Sequence, residues 1–237
     1  ESYNPLLSQQ AIAKAKVMMT PFILRRTKAQ VMKDLPQKHT SIEYTDMTPH
    51  QREIYDDQMK SLNDYRKEQI LRKKMSKDQI KNLPPLKAQA MNALMYLRKA
   101  CLHPLLFRKH YNDKVLKVMA KSIMKNNQYQ AANQEYIYED MEVMSDFELT
   151  GLCHQFPNEL GKFVLKQESY LDSGKVNALI KIITDIIAKG EKVLVFSLFT
   201  QMLDILEKVI SLKNWKFLRL DGATAVETRQ TMIDKFY

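Results

Sequence analysis

Residues 191–237 have the sequence EKVLVFSLFTQMLDILEKVISLKNWKFLRLDGATAVETRQTMIDKFY. Lys192–Phe196 is a short run of β-branched and apolar residues, typical of a strand buried on both faces. Lys216–Leu220 is predicted to form a second strand. An amphipathic helix follows the first strand, with an apolar face of Met202, Leu203, Leu206, Val209 and Ile210, and a helix that starts at Thr224 follows the second strand. The order strand, helix, strand, helix predicts a short parallel sheet with helices packed on it. We therefore expect an α/β fold.

Five polar residues and one glycine lie at the end of the predicted strands or just after them. They are Ser197, Thr200, Arg219, Asp221, Gly222 and Thr224. Ligands of open α/β sheets bind outside the carboxyl ends of the strands, where helix N-termini favour anions. The residues therefore predict a phosphate-binding surface at this edge of the sheet. The alternative is that the hydroxyls only cap helices, since Thr224 and Glu227 have the spacing of a capping box.

The composition favours a polyanionic partner. The 237 residues carry a formal net charge of +10, although a solvated basic surface is the alternative. Two cysteines, Cys101 and Cys153, indicate a reducing compartment rather than a disulfide scaffold. With His103 and His154 they match no common zinc spacing, so we expect no metal site. No apolar run approaches the roughly 20 residues of a membrane span, so we expect no membrane segment.

Start and stop signals predict several helices and one further strand. Thr48-Pro49 starts a helix, with Gln51 completing a capping box, and Ser145 with Glu148 forms another. Further predicted helices cover Gln9–Met19, a segment from Leu86 to Cys101, Asp113–Lys125 and a segment that opens at Ser173 and ends before Gly190 at its C′ position. The further strand lies near residues 41–46.

Charged segments occur outside the predicted sheet. Arg25 and Arg26 follow an apolar triplet, and either contact DNA or a nucleotide or form a solvated helix end. Lys60–Lys81 is the most basic segment, either a contact for DNA phosphates or the solvated face of a long helix. Gln134–Glu148 carries only acidic charges and is expected to dock on a basic neighbour rather than a polyanion.

Six sequence blocks together resemble the Swi/Snf-type chromatin-remodelling ATPases of helicase superfamily two, and most closely their Fun-thirty/SMARCAD-like subgroup. The blocks are PFILRRTKAQVMKDLPQK (21–38), TPHQREIY (48–55), LRKACLHPLLF (97–107), SGKVNALIKII (173–183), EKVLVFSLFTQMLDIL (191–206) and WKFLRLDGATAVETRQTMIDKF (215–236). Their order spans the chain.

The resemblance implies a layout in three parts. Residues 1–38 would be the end of a first RecA-like lobe and the linker between lobes. Residues 39–170 would be a helical protrusion region, with the strand near 41–46 joining the sheet of the second lobe. Residues 171–237 would be the N-terminal half of that second lobe, a partial RecA-like lobe.

The resemblance also implies an ATP-driven DNA translocase that acts on nucleosomes in the nucleus. Double-stranded DNA and histones would be its partners, and ATP with Mg²⁺ its cofactors. Segments 197–200 and 219–224 would contact DNA phosphates, with Arg25, Arg26 and Lys175 as further DNA or inter-lobe contacts. The chain contains no G-x-x-x-x-G-K-[ST] loop and no Asp-Glu-x-His segment. We therefore expect a fragment with no catalytic residue, inactive alone; the alternative function is a helical protein-interaction module.

Overall fold

A computed structural model of the chain describes residues 5–27, 31, 32, 34, 36–73, 75 and 93–237. The regular structure of these residues is helical. The helices are α1 Pro5–Met19, α2 Pro49–Lys73, α3 Ala93–Leu102, α4 Asp113–Ile123, α5 Gln134–Val143, α6 Asp146–Gln155, α7 Pro157–Leu160, α8 Gly174–Ala188, α9 Thr200–Leu212 and α10 Val226–Phe236. Short 3-10 helices lie at Pro104–Leu106, Gly161–Phe163 and Gln167–Leu171. The predicted start of α3 at Leu86 lies outside the described residues.

The predicted parallel sheet is wrong, because the described part of the chain contains no β-strand. Lys192–Phe196 and Lys216–Leu220 precede α9 and α10 as predicted, but no backbone hydrogen bond joins these two segments. Phe196 is 89% exposed and Leu194 65% exposed. An apolar run predicts burial, whereas a strand also needs a hydrogen-bonded neighbour, which side-chain periodicity does not specify. The same correction applies to residues 41–46, where Ile42 and Tyr44 are exposed.

The chain divides into two compact units, residues 1–43 and 44–237. Helix α1 belongs to the first unit and confirms the helix that was predicted over Gln9–Met19. The segment after it exposes the apolar side chains of Phe22, Ile23 and Leu24. Helices α2 to α10 belong to the second unit, which contains both hydrophobic cores.

One hydrophobic core joins α4, α5, α6 and α7. Helix α4 buries a stripe of residues at helical spacing, namely Leu116, Met119, Ala120 and Ile123. The same core includes Ile137 and Met141 of α5, Leu149 of α6 and Leu160 of α7. This core holds the helical region between residues 111 and 165 together.

The second core centres on α9. Its buried stripe consists of Met202, Ile205, Leu206 and Val209. These residues pack with Leu105, Leu106, Tyr170 and Val176. Three residues of the predicted apolar face are therefore buried together with Ile205, whereas Leu203 and Ile210 are half-buried. This packing fixes the position of the segment that precedes α9.

Two helix ends follow their sequence signals. The capping box at Ser145 and Glu148 is present in both directions, which confirms that prediction. Gly190 lies at the C′ position of α8 with φ 73°, and its N–H donates to the carbonyl of Ile187 at 2.9 Å. Asn214 occupies the equivalent position after α9 with φ 56°. Both helices end in the left-handed conformation that glycine and asparagine adopt most readily.

Gln51 ties three helices together. Its backbone N–H donates to the hydroxyl of Thr48 at 3.2 Å, which confirms one half of the predicted capping box. Its side chain does not return to Thr48. The amide nitrogen donates to the carbonyl of Ala100 at 2.8 Å, and the amide oxygen accepts the N–H of Gly174 at 3.2 Å. A single buried side chain therefore connects α2 to the end of α3 and the start of α8.

Two further buried polar side chains, His103 and Ser173, bond to the backbone near the same helix ends. His103 Nδ1 accepts the N–H of Leu105 at 3.1 Å, so Nε2 carries the proton and donates to the carbonyl of Tyr170 at 3.0 Å. Burial lowers the pKa of His103 to about 4, so the ring is neutral at pH 7. Ser173 caps α8 and donates to the carbonyl of Leu102 at 2.7 Å. Both side chains hold the chain after Leu102 against the segment that starts α8.

Asp146 is fully buried at the start of α6. Its carboxylate accepts the backbone N–H groups of Lys109 at 2.8 Å, His110 at 2.9 Å and Tyr111 at 3.2 Å. Its own N–H donates to the carbonyl of Phe107 at 2.8 Å. Charge-assisted bonds of this kind are among the stronger hydrogen bonds in proteins. The carboxylate therefore fixes the connection between the two hydrophobic cores.

The two cysteines are free, and burial raises the pKa of the Cys153 thiol. Among the described residues, no group of three or more His, Cys, Asp or Glu side chains is placed to hold a metal ion. The helices described here also include none that is both long and apolar enough to span a membrane.

Candidate nucleic-acid interface

The segment before α9 forms a tight turn around Ser197. The Ser197 hydroxyl donates to the carbonyl of Phe199 and accepts the N–H of the same residue, each at 3.2 Å. Phe199 is the N-cap of α9, and no side chain caps the helix. Thr200 is the first residue of α9 and is exposed. Neither Ser197 nor Thr200 therefore has the capping role that was the alternative in the sequence.

The turn before α10 is built on Asp221. The Asp221 carboxylate accepts the N–H of Ala223 at 2.9 Å, and its backbone N–H donates to the hydroxyl of Thr224 at 3.0 Å. The carbonyl of Asp221 accepts the N–H of Thr224 at 3.2 Å. The Ala223 N–H and the Arg219 guanidinium hold the pKa of Asp221 below its usual value. These bonds give the exposed Gly222 a fixed position at the tip of the turn.

Thr224 does not start α10 as the sequence predicted. The N-cap of α10 is Ala225, and it makes no side-chain hydrogen bond. The Thr224 hydroxyl instead bonds back to Asp221 within the turn. The predicted capping box with Glu227 is therefore wrong, because Thr224 lies one residue before the N-cap and its hydroxyl bonds within the turn.

Arg219 lies between the turn and α9. Its guanidinium contacts Asp204 at 2.6 Å and Glu207 at 2.9 Å, both on α9, and Asp221 at 2.9 Å. These carboxylates raise the pKa of Arg219 above its usual value, with the bond to Asp204 the largest cause. The structure thus brings Arg219, Asp221, Gly222 and Thr224 together beside α9.

The starts of α9 and α10 differ from those of the other long helices in this region. Between residues 113 and 236, the helices α4, α5, α6 and α8 all begin with a side chain that accepts a backbone N–H. The accepting residues are Asn112, Asn133, Ser145 and Ser173. Helices α9 and α10 have no such cap, so the N–H groups of their first two residues have no partner in the part of the chain that the structure describes, while the third N–H donates to the carbonyl of the N-cap residue. Free N–H groups at a helix N-terminus are a favourable position for an anion.

The remaining predicted contacts lie elsewhere in the chain. Arg25 and Arg26 are exposed in the unit of residues 1–43. Lys175 is exposed in the first turn of α8, in the other unit. In the basic segment Lys60–Lys81, the residues up to Lys73 belong to α2, and those from Ser76 onward lie outside the described residues.

Several residues at this surface were missed by the sequence analysis. The Arg98 guanidinium lies 5.9 Å from the centre of the Phe199 ring, which places a cation beside the start of α9. Asp204 and Glu207, three residues apart on one face of α9, bind Arg219. Arg229 of α10 donates to the carbonyl of Thr224 at 3.2 Å. The i, i+3 acids were a visible signal, but their basic partner lies at least 12 residues away in sequence.

Family comparisons match both ends of the chain. Residues 4–106 match the SNF2-related domain, and residues 174–237 match the helicase conserved C-terminal domain. In a solved structure, described as the crystal structure of the C-terminal part of Fun30 ATPase domain, the matching chain is 45% identical in sequence. The superposition has a TM-score of 0.75 and covers 86% of this chain and 66% of that chain.

Curated relatives match along the whole chain. ATP-dependent helicase FUN30 of Saccharomyces cerevisiae is 49% identical over 239 residues, covering 100% of this chain and 21% of the relative. SWI/SNF-related matrix-associated actin-dependent regulator of chromatin subfamily A containing DEAD/H box 1 of Xenopus tropicalis is 40% identical, covering 98% and 21%. The chain thus spans about a fifth of the length of these relatives. The chain belongs to the SNF2-related family of helicase-like proteins and groups with its FUN30-type members.

Proposed function

We propose that the chain is part of an ATP-dependent DNA translocase that remodels nucleosomes in the nucleus. The names of its relatives support this proposal, since they describe ATP-dependent helicases and a regulator of chromatin. The formal net charge of +10 supports a polyanionic partner. Double-stranded DNA and histones are the partners that such an activity requires.

Within this activity, the segments before α9 and α10 contact the phosphates of the DNA. The observation that carries the proposal is the pair of uncapped helix N-termini, each preceded by a turn that a hydroxyl side chain closes. Free N–H groups, a helix dipole and the nearby Arg98 attract a phosphate at α9. Ser197 and Thr200 at one end, with Gly222 and Thr224 at the other, form the contact surface.

We also propose the layout in three parts. Residues 1–38 end the first lobe and cross to the second, residues 39–170 form the helical protrusion region, and residues 171–237 belong to the second lobe. The separate helical core around α4 to α7 supports a protrusion. Arg25, Arg26 and Lys175 are proposed as further contacts to DNA or between lobes, on the strength of their exposure and charge.

The described residues do not form a site suited to binding ATP with Mg²⁺. Gly174 and Lys175 are the nearest match to a phosphate-binding loop, but the Gly174 N–H already donates to Gln51. The described part of the chain also has no cluster of three or more side chains suited to a metal ion. No step of ATP hydrolysis is therefore assigned to these residues.

Closing the N-terminus of α10 tests the phosphate contact. Ala225→Asp places a carboxylate at the N-cap and is expected to raise the free energy of unfolding by about 1 kcal/mol, because it caps the helix. The same carboxylate occupies the N–H groups and repels a phosphate. Affinity for a duplex DNA of defined length should therefore fall roughly two- to fivefold, as fluorescence anisotropy can measure.

Two matched variants control this experiment. Ala225→Ser supplies a neutral cap and should weaken DNA binding less than Asp while still stabilising the chain. Asn158→Asp adds the same charge at an exposed position of α7, which packs on α4 and α6, and should leave the affinity nearly unchanged. If Ala225→Asp stabilises the chain and binds DNA as tightly as Asn158→Asp does, phosphate contact at α10 is contradicted.

A further inference from the structure

The guanidinium of Arg219 has all three of its nitrogens engaged. Nε and Nη2 each lie 2.9 Å from the same oxygen of Asp221. Nη1 contacts Asp204 at 2.6 Å and Glu207 at 2.9 Å. The planar fork of arginine is suited to holding several carboxylates in fixed directions. A phosphate that bound Arg219 directly would have to displace at least one of these partners.

The charge at this position also disfavours a direct phosphate contact. One guanidinium surrounded by the carboxylates of Asp204, Glu207 and Asp221 leaves the cluster with a formal charge of about −2. A phosphate approaching Arg219 meets these carboxylates at short range, and like charges brought together oppose binding. The positive charge of Arg219 is therefore used within the chain.

The partners of Arg219 connect two structural elements. Asp204 and Glu207 belong to α9, whose buried face anchors it in the second hydrophobic core. Asp221 forms the turn before α10 through its bonds to Ala223 and Thr224. Arg219 is thus the link between a fixed helix and the turn that presents Gly222.

The geometry points to Arg219 as a positioning residue that holds the turn of residues 221–224 against α9, while the turn and the helix N-termini contact the phosphate. This inference rests on the proposed function for its DNA-binding part. It assigns to Arg219 a role other than the phosphate contact that its sequence position suggests.

The salt dependence of DNA binding separates the two roles. A variant that neutralises one phosphate fewer has a slope of log affinity against log salt that is smaller by about 0.9. For Arg219→Ala we expect weaker binding to duplex DNA, at least about threefold, with the slope unchanged, because the Arg219 side chain itself neutralises no phosphate. A slope that falls by about 0.9 overturns the inference, and so does an affinity that stays the same.

Arg219→Lys tests the same point in a chain that keeps the charge. A lysine has no planar fork and cannot hold three carboxylates in the same directions. A positioning role predicts that Arg219→Lys binds DNA as weakly as Arg219→Ala. Binding equal to that of the unsubstituted chain means that only the charge is needed, which overturns the inference.

A double-substitution cycle measures the link without DNA. Arg219→Gln and Asp204→Asn should each lower the melting temperature. The melting temperature of the double variant should fall by less than the sum of the two single decreases. Asp185→Asn, at an exposed position of α8, serves as the control, and its effect on the melting temperature should add to that of Arg219→Gln. If the unsubstituted chain binds no DNA, the proposed function fails, and the cycle alone decides whether Arg219 anchors the turn. Additive changes in melting temperature for Arg219→Gln and Asp204→Asn overturn the anchoring role, and non-additive changes support it.

Discussion

Replacing Asp146 with alanine is expected to lower the free energy of unfolding by about 4 kcal/mol, because three backbone N–H groups are left without their acceptor. Asp146 is fully buried, and the N–H of Tyr111 makes no other hydrogen bond in the described part of the chain. A chain of this size should then melt about 8–16 °C lower, measured by circular dichroism. The effect is large because the carboxylate determines the path of the connection between the cores.

Asp140→Ala is the matched control for this substitution. Asp140 is an exposed acid on α5, so its removal should change the free energy of unfolding by less than about 0.5 kcal/mol. Asp146→Asn keeps the shape of the side chain but replaces one acceptor oxygen with a donor. Its free energy of unfolding should lie between those of Asp146→Ala and Asp140→Ala. Equal melting temperatures for Asp146→Ala and Asp140→Ala would contradict the structural role assigned to Asp146.

Replacing Gly174 with alanine is expected to cost about 3 kcal/mol, because the added methyl group overlaps the carbonyl oxygen of Asp46. The carbonyl carbon of Asp46 lies 2.9 Å from the same methyl position. The backbone of α8 cannot withdraw without stretching the bond between the Gly174 N–H and Gln51. The glycine is therefore required for close packing, and its role differs from that of a phosphate-binding glycine.

Gly151→Ala provides the opposite expectation in the same chain. Gly151 lies inside α6, and nothing is within 4 Å of its added methyl group. Alanine is the better helix former, so this variant should gain roughly 0.5–1 kcal/mol. Chemical denaturation of both variants measures the two free energies of unfolding and checks both expectations. A Gly174→Ala chain that is as stable as Gly151→Ala would show that Asp46 is not packed against α8.

Local signals were sufficient for much of the helical structure. The capping box at Ser145, the N-cap at Thr48 and the C′ glycine at Gly190 are each set by residues within a few positions of one another. Of the five residues predicted for the apolar face of α9, Met202, Leu206 and Val209 are buried. These features need no knowledge of distant parts of the chain.

The features that were missed depend on residues far apart in sequence. The side chain of Gln51 bonds to groups 49 and 123 residues away, although local spacing predicted a return to Thr48. Asp146 accepts N–H groups more than 30 residues away. The predicted strands failed for the same reason, since pairing is a property of two segments and the apolar pattern is a property of one.

The candidate site shows the same division between local and distant information. The sequence placed Ser197 and Thr200 at the start of one helix and Gly222 and Thr224 at the start of another; in the structure Thr200 is the first residue of α9, and the other three lie in the turns before α9 and α10. The sequence also indicated that the charge of Arg219 is available to a phosphate, but in the structure carboxylates from α9 and the turn surround that charge. A residue type and a spacing suggest a ligand, and only the neighbours in space decide whether the side chain is available for it.

Amide chemical shifts measured during a titration with duplex DNA test the central claim most directly. If phosphates bind at the two uncapped helix starts, the largest changes should occur at the N–H groups of Thr200, Gln201, Val226 and Glu227. The amides at the capped start of α4 should change little, although that helix exposes Lys114, Lys117 and Lys121. Changes confined to α2 and α4, with the starts of α9 and α10 unaffected, would contradict the proposed interface.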